Sequence, residues 1–359
     1  MELRLKLLPL HVQKVKQAGI RRTRKKANIN IRLVTGKKFL KKSVGRHTRS
    51  PVGILYICNI ALPPSVQGER LILMLLSIII VNYNTFQITC NCIASIRKYT
   101  RQLAYEIILV DNASTECPPG AFLAMFPDIK LICNPLNNGF AKGNNLGLSA
   151  ATGDIVLLLN SDTYLTEDSL SRSISVLNGL AGSHILSCRL NYENGVYQKN
   201  ARKFRSVRNE LLDLCRPLLY LLPYRKRAQL MLNQYFKGDF DTECDWVSGA
   251  FMMFYRRDLE KLPGQKLDER FFMYGEDQLW CYQFQQLGIP SYFTAATAVV
   301  HIANASTDTR KRLQLEKTML RHELRIMSAR KGKSVYYYLF AILYTLKTKG
   351  IYAVKLLTR

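Results

Sequence analysis

The sequence contains no Cys-x-x-Cys pair, although nine cysteines are scattered along its 359 residues. The spacing therefore indicates neither a zinc site nor a disulfide framework. Several of the cysteines stand inside apolar runs, where a free cysteine packs as a small hydrophobic side chain. We therefore expect a reducing compartment, the cytoplasm.

The sequence also lacks an apolar run of the ~18 residues that a membrane-spanning helix needs. The nearest N-terminal candidate, residues 52–62, is short and contains Asn59. A signal peptide has its charged region directly before the apolar core and near the terminus, whereas about fifty residues precede this run. We therefore expect neither a spanning helix nor secretion.

Acidic residues are scarce, because 52 Lys and Arg stand against 26 Asp and Glu, a net charge of +26. Residues 1–73 hold 17 Lys and Arg against Glu2 and Glu69, a local net charge of +15. Three interpretations remain open for this extension: a disordered basic tail that contacts anionic lipid or nucleic acid, an Arg-rich transit peptide, or a segment outside the functional product. We favour the third, because Met74 lies just before the first predicted strand and would be a natural start.

From Leu75 onward, strand-like and helix-like patterns alternate, which predicts βαβ units and a parallel sheet. The predicted strands are Ser77–Val81, Glu106–Val110, Ile129–Cys133 and Ile155–Leu159. Asn or Asp follows each strand closely. Because the carboxyl ends of parallel strands lie along one edge of a sheet, these polar endings predict a shared pocket.

The second half of the chain is less regular. Asn194-Gly195 is typical of a hairpin turn, and residues 206–236 are helix-like and basic. An apolar, strand-like run over residues 246–255 is interrupted at Ser248-Gly249. A further helix is predicted over residues 276–287, followed by a strand that ends at His301. Basic, helix-compatible segments follow Arg310.

Three groups of polar residues suit a nucleotide and its metal. Asp162 lies just past the fourth predicted strand with Asn160 before it, and Mg²⁺ typically takes one or two carboxylates plus substrate phosphates. Asp111 and Asn112 end the second strand, where such side chains contact a nucleobase or ribose. The amide- and glycine-rich loop 137–145 opens a helix whose N–H groups suit a phosphate. Taken alone, each of these is also an ordinary turn or helix cap.

Two later positions suit acid–base chemistry. Glu276 and Asp277 open a helix after an aromatic run, which suits a general base reached from an aromatic-lined pocket. Acidic residues also favour helix N-termini for purely structural reasons. His301 ends a strand and is by itself an ordinary strand-end histidine. The order of all these features carries more weight than any one of them.

Seven motifs over roughly residues 75–305 together resemble the family 2 glycosyltransferases, and within them the bacterial rhamnosyltransferase-like branch. The motifs are SIIIVNYN (77–84), VDNAS (110–114), NNGFAKGNN (137–145), LLNSDT (158–163), WVSGA (246–250), FFMYGED (271–277) and His301. The resemblance implies a GT-A fold, an α/β Rossmann-like mixed sheet flanked by helices. It also implies a nucleotide-diphosphate sugar donor, Mg²⁺ or Mn²⁺, and inversion at the anomeric carbon.

The resemblance assigns Asp277 as catalytic base, Asp162 as the metal-binding residue of a DxD-like motif, and His301 as a second residue of the metal and pyrophosphate site. The substrate-binding residues that it implies are Asn82, Tyr83, Asn84, Asp111, Asn112, Asn138, Gly139, Asn144, Asn160, Trp246, Gly249 and Glu276. Asn160 stands where many relatives carry the first Asp, a departure that resembles deoxysugar-transferring members. Leu279 replaces a second acidic residue beyond the base.

The resemblance implies transfer of rhamnose or another deoxyhexose to a glycan or lipid-linked acceptor in cell-surface polysaccharide synthesis. We expect an extension (1–73), a GT-A domain (74–305) and a basic helical region (306–359). That last region either lies on an anionic membrane at the inner face of the plasma membrane or packs on the core. Nucleic acid is disfavoured as a partner, because the charge is concentrated outside the motifs.

Two alternatives from other classes remain. A sugar nucleotidyltransferase needs a basic, glycine-rich triphosphate loop near its start, and residues 77–85 contain none. A non-catalytic sugar-binding protein has no need for both Asp162 and Asp277. Metal-dependent release of a nucleoside diphosphate distinguishes the transferase from both.

Overall fold

The computed structural model describes residues 74–302 and 309–357. The predicted basic extension, 1–73, lies outside the described residues. The predicted boundary at residue 305 also lies outside them, within 303–308.

Four parallel strands form one half of the main sheet, in the spatial order β3-β2-β1-β4. They are β1 (Leu76–Asn82), β2 (Tyr105–Asn112), β3 (Lys130–Asn134) and β4 (Ile155–Asn160). The connecting helices are α1 (Phe86–Tyr99), α2 (Ala121–Met125) and α3 (Gly139–Ala150). The four predicted strands and their parallel pairing are confirmed, and each strand ends in Asn.

The other half of the sheet mixes directions. Its strands are β5 (Thr163–Leu165), β6 (Ile185–Asn191), β7 (Tyr197–Gln198), β9 (Thr242–Cys244), β11 (Phe251–Tyr255) and β12 (Ser291–His301). β11 lies antiparallel to β4 and β6, while β12 runs parallel to β6 and antiparallel to β5. A separate two-stranded sheet joins β8 (Ala201–Arg202) to β10 (Trp246–Val247). The hairpin at Asn194-Gly195 is confirmed, because β6 and β7 pair antiparallel on either side of it.

The remaining helices surround this mixed sheet. They are α4 (Ser169–Gly179), α5 (Val207–Leu214), α6 (Arg216–Leu219), α7 (Tyr224–Leu230), α8 (Leu232–Tyr235), α9 (Glu276–Gln286), α10 (Thr309–Lys331) and α11 (Val335–Leu357). Two 3₁₀ segments cover Arg256–Lys261 and Pro263–Gln265. The helix-like stretch 206–236 is thus four short helices, with Pro217 and Pro223 at helix starts.

Alternating side chains of the strands build two cores on opposite faces of the sheet. Ile78 and Ile80 pack with α1 and α4 on one face, and Ile79 packs on the other with Trp280 and Phe284 of α9. Successive strand residues point to opposite faces, so a strand buried on both faces has to be apolar throughout. This requirement explains why β1 and β4 are uninterrupted apolar runs that become polar only at their carboxyl ends.

The C-terminal helices α10 and α11 pack on the rest of the fold through one side. Ile326, Met327 and Phe340 are at most 1% exposed, and Lys347 pairs with Glu210 of α5 at 2.7 Å. Packing against the core, one of the two alternatives for this region, is therefore observed. Among the described residues, no helix is both long and apolar enough to cross a membrane.

Candidate active site

The ends of β1 and β2 form a buried polar pair. The Asn82 amide donates to Oδ1 of Asp111 at 2.7 Å and to the Ser114 hydroxyl at 3.0 Å. Asp111 Oδ2 accepts the Ser114 N–H at 3.0 Å. Both side chains are 1% exposed, so this pair holds the loop after β2 in place beneath the surface.

Tyr83 and Asn84 lie at the surface above that pair, and the Tyr83 side chain is 49% exposed. Asn84 adopts a φ of +52°, and its Oδ1 accepts the backbone N–H groups of Thr115 and Glu116 at 2.8 and 3.2 Å. The two loops are therefore tied to each other. Tyr83 remains available to a ligand at this edge of the sheet.

The loop before α3 is held by amides. Asn112 donates to Asn137 at 3.0 Å and to the Gly139 carbonyl at 3.1 Å, and it accepts from Asn134 at 2.6 Å. Asn112 is 2% exposed, so its amide positions the loop from below. Asn138 is half-buried at the start of α3.

Asn144 lies inside α3 rather than at its opening. It is 1% exposed and donates to the Phe140 carbonyl one turn earlier at 2.9 Å. The structure therefore separates Asn144 from the exposed residues of the loop, and its part in donor binding stays a prediction.

Gly139 brings the loop against the segment that precedes Asp277. The φ of Gly139 is +85°, and a Cβ there would lie 2.2 Å from the Phe272 carbonyl oxygen. The Phe140 N–H donates to that same oxygen at 2.9 Å. Only glycine allows this approach, because it combines a left-handed backbone with the absence of a side chain.

Asp162 and His301 meet at the end of β4, although 139 residues separate them in the chain. Nε2 of His301 lies 3.1 Å from Asp162 Oδ1 and 3.3 Å from the Asn160 amide nitrogen. The pairing of β5 with β12 produces this contact, since Thr163 is opposite His301 in the register. The side chains of Asp162 and His301 are 22% and 14% exposed.

This arrangement fits a divalent cation that takes few ligands from the protein. A carboxylate oxygen and an imidazole nitrogen converge, and among the described residues the buried Oδ1 of Asn160 has no hydrogen-bond partner. In the same part of the chain, no group of three or more His, Cys, Asp or Glu stands close enough together to hold a metal. Mg²⁺ commonly completes such a set with water and substrate phosphates.

Asp277 lies half-buried in the first turn of α9. Its Oδ2 accepts the Gly249 N–H at 3.2 Å, and its Oδ1 accepts the N–H of Gln278 at 2.8 Å. Burial raises the pKa of the Asp277 carboxyl, whereas these N–H groups and the charge of Arg202 act in the opposite direction. The carboxyl therefore has a raised proton affinity while remaining reachable from solvent.

Glu276 is 5% exposed beside Asp277. Burial, and then the charge of Asp277, raise the pKa of Glu276 to about 8. Its Oε2 is buried without a hydrogen-bond partner among the described residues. The negative charge of one carboxylate thus disfavours ionisation of its buried neighbour.

Asp162 and the Glu276–Asp277 pair, the two acidic centres, belong to one region of the surface. The Asn160 N–H donates to the carbonyl of Ala250 at 3.1 Å, and the neighbouring Gly249 binds Asp277. Both centres act on Tyr274: after burial, the negative charges of Glu276 and Asp162 raise the pKa of the Tyr274 hydroxyl. The structure therefore brings the residues at 160–162 and 274–277 together at the carboxyl end of β4.

Two side chains near the site were not identified from the sequence. The Arg202 guanidinium lies 5.1 Å from the centre of the half-buried Trp246 ring and acts electrostatically on Asp277. Gln198 contacts His301. Neither residue belongs to a motif, and the hairpin signal at 194–195 was the only indication that this segment has a defined structure.

Comparison with known proteins identifies the class. The profile of Glycosyl transferase family 2 matches residues 77–262, slightly more than half of the chain. The chain belongs to this family. The family predicted from the motifs is therefore confirmed.

Two curated relatives and one solved structure are similar to the chain. "Uncharacterized glycosyltransferase YwdF" of Bacillus subtilis is 26% identical over 48% of this chain and 66% of its own length. "Rhamnosyltransferase WbbL" of Escherichia coli is 24% identical over 46% of this chain and 61% of its own. The solved structure is that of a mannosyltransferase, PcManGT from Pyrobaculum calidifontis, in complex with GDP-Man and Mn²⁺. The match covers 77% of this chain and 73% of that one, at 17% identity and a TM-score of 0.51.

The structural match supports the GT-A fold, and the predicted fold class is confirmed. The chain spans less than two thirds of the length of these two curated relatives.

Proposed function

We propose that the protein is an inverting glycosyltransferase that moves a sugar from a nucleotide-diphosphate donor to an acceptor hydroxyl. The observation that carries the proposal is the placement of Asp277. This carboxyl is partly accessible, has a raised pKa and lies in the same region of the surface as the Asp162–His301 pair. A base on one side of a cleft and a diphosphate site on the other are what a single displacement needs.

In this mechanism Asp277 accepts the proton of the acceptor hydroxyl while that oxygen attacks the anomeric carbon. The bond to the diphosphate breaks on the opposite face, so the configuration inverts. The Gly249 N–H and the charge of Arg202 favour the carboxylate form of Asp277 and so oppose the rise in its pKa that burial causes. General-base assistance of this kind contributes about 10²–10⁴ in rate.

Asp162 and His301 would hold Mg²⁺ or Mn²⁺, with Asn160 beside them. Bound there, the cation supplies Lewis-acid stabilisation of the charge that develops on the departing diphosphate. By holding the cation, Asp162 and His301 would help to fix the position of the diphosphate. The nucleoside would then extend toward Tyr83 and the loop that the Asn82–Asp111 pair supports.

The finer assignment is a deoxyhexose such as rhamnose, with a glycan or lipid-linked acceptor in cell-surface polysaccharide synthesis. Asn160 in place of an acidic residue supports a deoxysugar, and the name of the E. coli relative agrees with it. The half-buried Trp246 and the exposed Tyr274 would provide aromatic faces that suit the apolar face of a sugar ring. The protein would act in the cytoplasm, where nucleotide sugars serve as donors.

Release of nucleoside diphosphate from a panel of nucleotide sugars tests this proposal. We expect release that depends on Mg²⁺ or Mn²⁺ and accelerates when an acceptor glycan is added. Consumption of a nucleoside triphosphate with release of pyrophosphate would instead indicate a sugar nucleotidyltransferase. Binding without any release would indicate a sugar-binding protein, and either result would contradict the proposal.

We also propose that the outer face of α11 lies on an anionic membrane. Val335, Tyr338, Leu339, Ile342 and Leu346 recur at helical spacing and are 47–85% exposed. The opposite side of the helix packs inward through Phe340. Exposed lysines at 331, 333 and 349 flank the apolar stripe, a combination that matches the acyl boundary and headgroups of an anionic leaflet.

Vesicle flotation with the full chain tests the membrane proposal. We expect the wild type to float with phosphatidylglycerol-containing vesicles and Ile342→Glu to float less at the same salt concentration. Leu123→Glu, at an exposed leucine of α2, is the matched control and should float like the wild type. Equal flotation of Ile342→Glu and the wild type, or a concentration-dependent dimer that Ile342→Glu abolishes, would contradict the proposal.

A further inference from the structure

Both polar atoms of the Gln198 amide form hydrogen bonds with His301. Its Nε2 donates to the His301 backbone carbonyl at 2.5 Å, and its Oε1 lies 2.7 Å from Nδ1 of the His301 ring. A backbone carbonyl can only accept, so the amide NH₂ has to face it and the amide oxygen has to face the ring. The contacts themselves therefore fix the orientation of the Gln198 amide.

The orientation of Gln198 determines which ring nitrogen carries hydrogen. Because Oε1 can only accept, Nδ1 of His301 has to be the donor. In the neutral imidazole the lone pair then resides on Nε2. That nitrogen faces Asp162 Oδ1 at 3.1 Å and the Asn160 amide at 3.3 Å.

The fold gives Gln198 little freedom to move. Gln198 lies in β7, where it pairs with Leu190 of β6, and Leu190 pairs on its other side with Val299 of β12. The side chain is 8% exposed. A buried amide placed by three paired strands is a rigid support for the ring at the end of β12.

We infer that Gln198 is a positioning residue that sets the His301 tautomer and ring orientation for cation binding beside Asp162. The inference rests on the proposed function, because it makes His301 Nε2 a ligand of the metal. Hydrogen bonds from the second nitrogen of a metal-binding histidine commonly have this effect, and their loss weakens metal affinity by about 10–100-fold.

Two variants separate positioning from structure. Gln198→Met removes the donor and the acceptor at similar side-chain length. Gln198→Glu keeps an acceptor for Nδ1–H but loses the donor to the carbonyl. Gln285→Met, at an exposed position near the end of α9, is the matched control, and thermal unfolding of each full-length variant establishes that it is folded.

The first measurement needs neither the nucleotide-sugar donor nor the metal. At pH 8, long-range ¹H–¹⁵N correlation of labelled histidines should show a proton on Nδ1 of His301 in the wild type, in Gln198→Glu and in Gln285→Met. Gln198→Met should lose it. An Nε2–H tautomer in the wild type, or an unchanged tautomer in folded Gln198→Met, would overturn the inference.

The second readout is the dissociation constant for Mn²⁺, followed by the electron paramagnetic resonance signal of the free ion with nucleoside diphosphate present. Gln198→Met should bind Mn²⁺ about 10–100-fold more weakly than the wild type, and Gln198→Glu should stay closer to the wild type. Equal affinities of the wild type and Gln198→Met would contradict the inference alone. A wild type that neither binds Mn²⁺ nor releases nucleoside diphosphate would contradict the proposed function instead, whatever the tautomer.

Discussion

Replacing Gly139 by alanine tests the contact between the loop before α3 and the segment that precedes Asp277. The new Cβ would lie 2.2 Å from the Phe272 carbonyl oxygen and 2.8 Å from a carbon of its ring. Real Cβ atoms do not approach a backbone oxygen this closely, so one of the two segments has to shift. The Phe140–Phe272 hydrogen bond, 2.9 Å long, lies at the same point and would be strained with it.

Two costs add up in Gly139→Ala. A left-handed backbone costs a non-glycine residue about 1–2 kcal/mol, and forcing an extra methyl into a packed contact costs about 1–3 kcal/mol. We therefore expect the free energy of unfolding to fall by about 2–5 kcal/mol. Because Phe272 leads directly to Glu276 and Asp277, we also expect turnover to fall in the molecules that remain folded.

Gly182→Ala is the matched control for this measurement. Its φ is +83°, close to that of Gly139, but nothing lies within 4 Å of a Cβ at this position. The free energy of unfolding of Gly182→Ala should fall only by the backbone cost, about 1–2 kcal/mol. Urea unfolding of both variants gives the comparison. Equal destabilisation of the two would refute the claim that the contact with Phe272 adds to the cost of a side chain at position 139.

Three further outcomes follow from the titratable groups. Burial raises the pKa of Asp277, so kcat should fall as the pH decreases through that pKa and the base becomes protonated, which a pH–rate profile measures. The pKa of Glu276 is raised to about 8, so between pH 5.5 and 8 the folded protein binds a proton that the unfolded chain has lost. The free energy of unfolding should therefore decline as the pH rises from 5.5 to 8, and urea unfolding of Glu276→Gln should show a smaller decline. Lys347→Met leaves the 4%-exposed Glu210 with one cation fewer and should cost about 1–3 kcal/mol in urea unfolding, whereas Lys349→Met, at an exposed position, should cost almost nothing.

The parallel half of the sheet was predictable because its signal is local. A strand buried on both faces has to be apolar throughout, so β1 and β4 stand out in the sequence as continuous runs with polar ends. The helix α9 was equally clear, since Gly288 directly follows its predicted end. These elements place Asn82, Asp111 and Asn160 along one edge without any knowledge of distant contacts.

The contacts between distant segments could not be predicted in this way. The meeting of Asp162 with His301 depends on the antiparallel pairing of β5 with β12, and a three-residue strand such as β5 carries almost no periodic signal. The approach of Gly139 to Phe272 depends on how two loops pack. Gln198 is a single polar residue in a two-residue strand, and nothing in its neighbours marks it as a partner of a histidine.

The exposure of the predicted substrate residues also differs in a way that the sequence does not reveal. Tyr83 is exposed, whereas Asn82, Asn112 and Asn144 are at most 2% exposed and hydrogen-bonded internally. Asn is common both in ligand contacts and in loops that need internal hydrogen bonds, so its presence in a motif does not separate the two roles. Burial separates them, and burial depends on the folded chain.

The most direct test of the central claim is the turnover of Asp277→Asn, measured with the donor that the wild type uses. Asparagine keeps the shape of the side chain but cannot accept the hydroxyl proton, so turnover should fall by about 10²–10⁴ while donor binding persists. Asp128→Asn, whose side chain is 73% exposed, should behave like the wild type. Near wild-type turnover in folded Asp277→Asn would contradict the account.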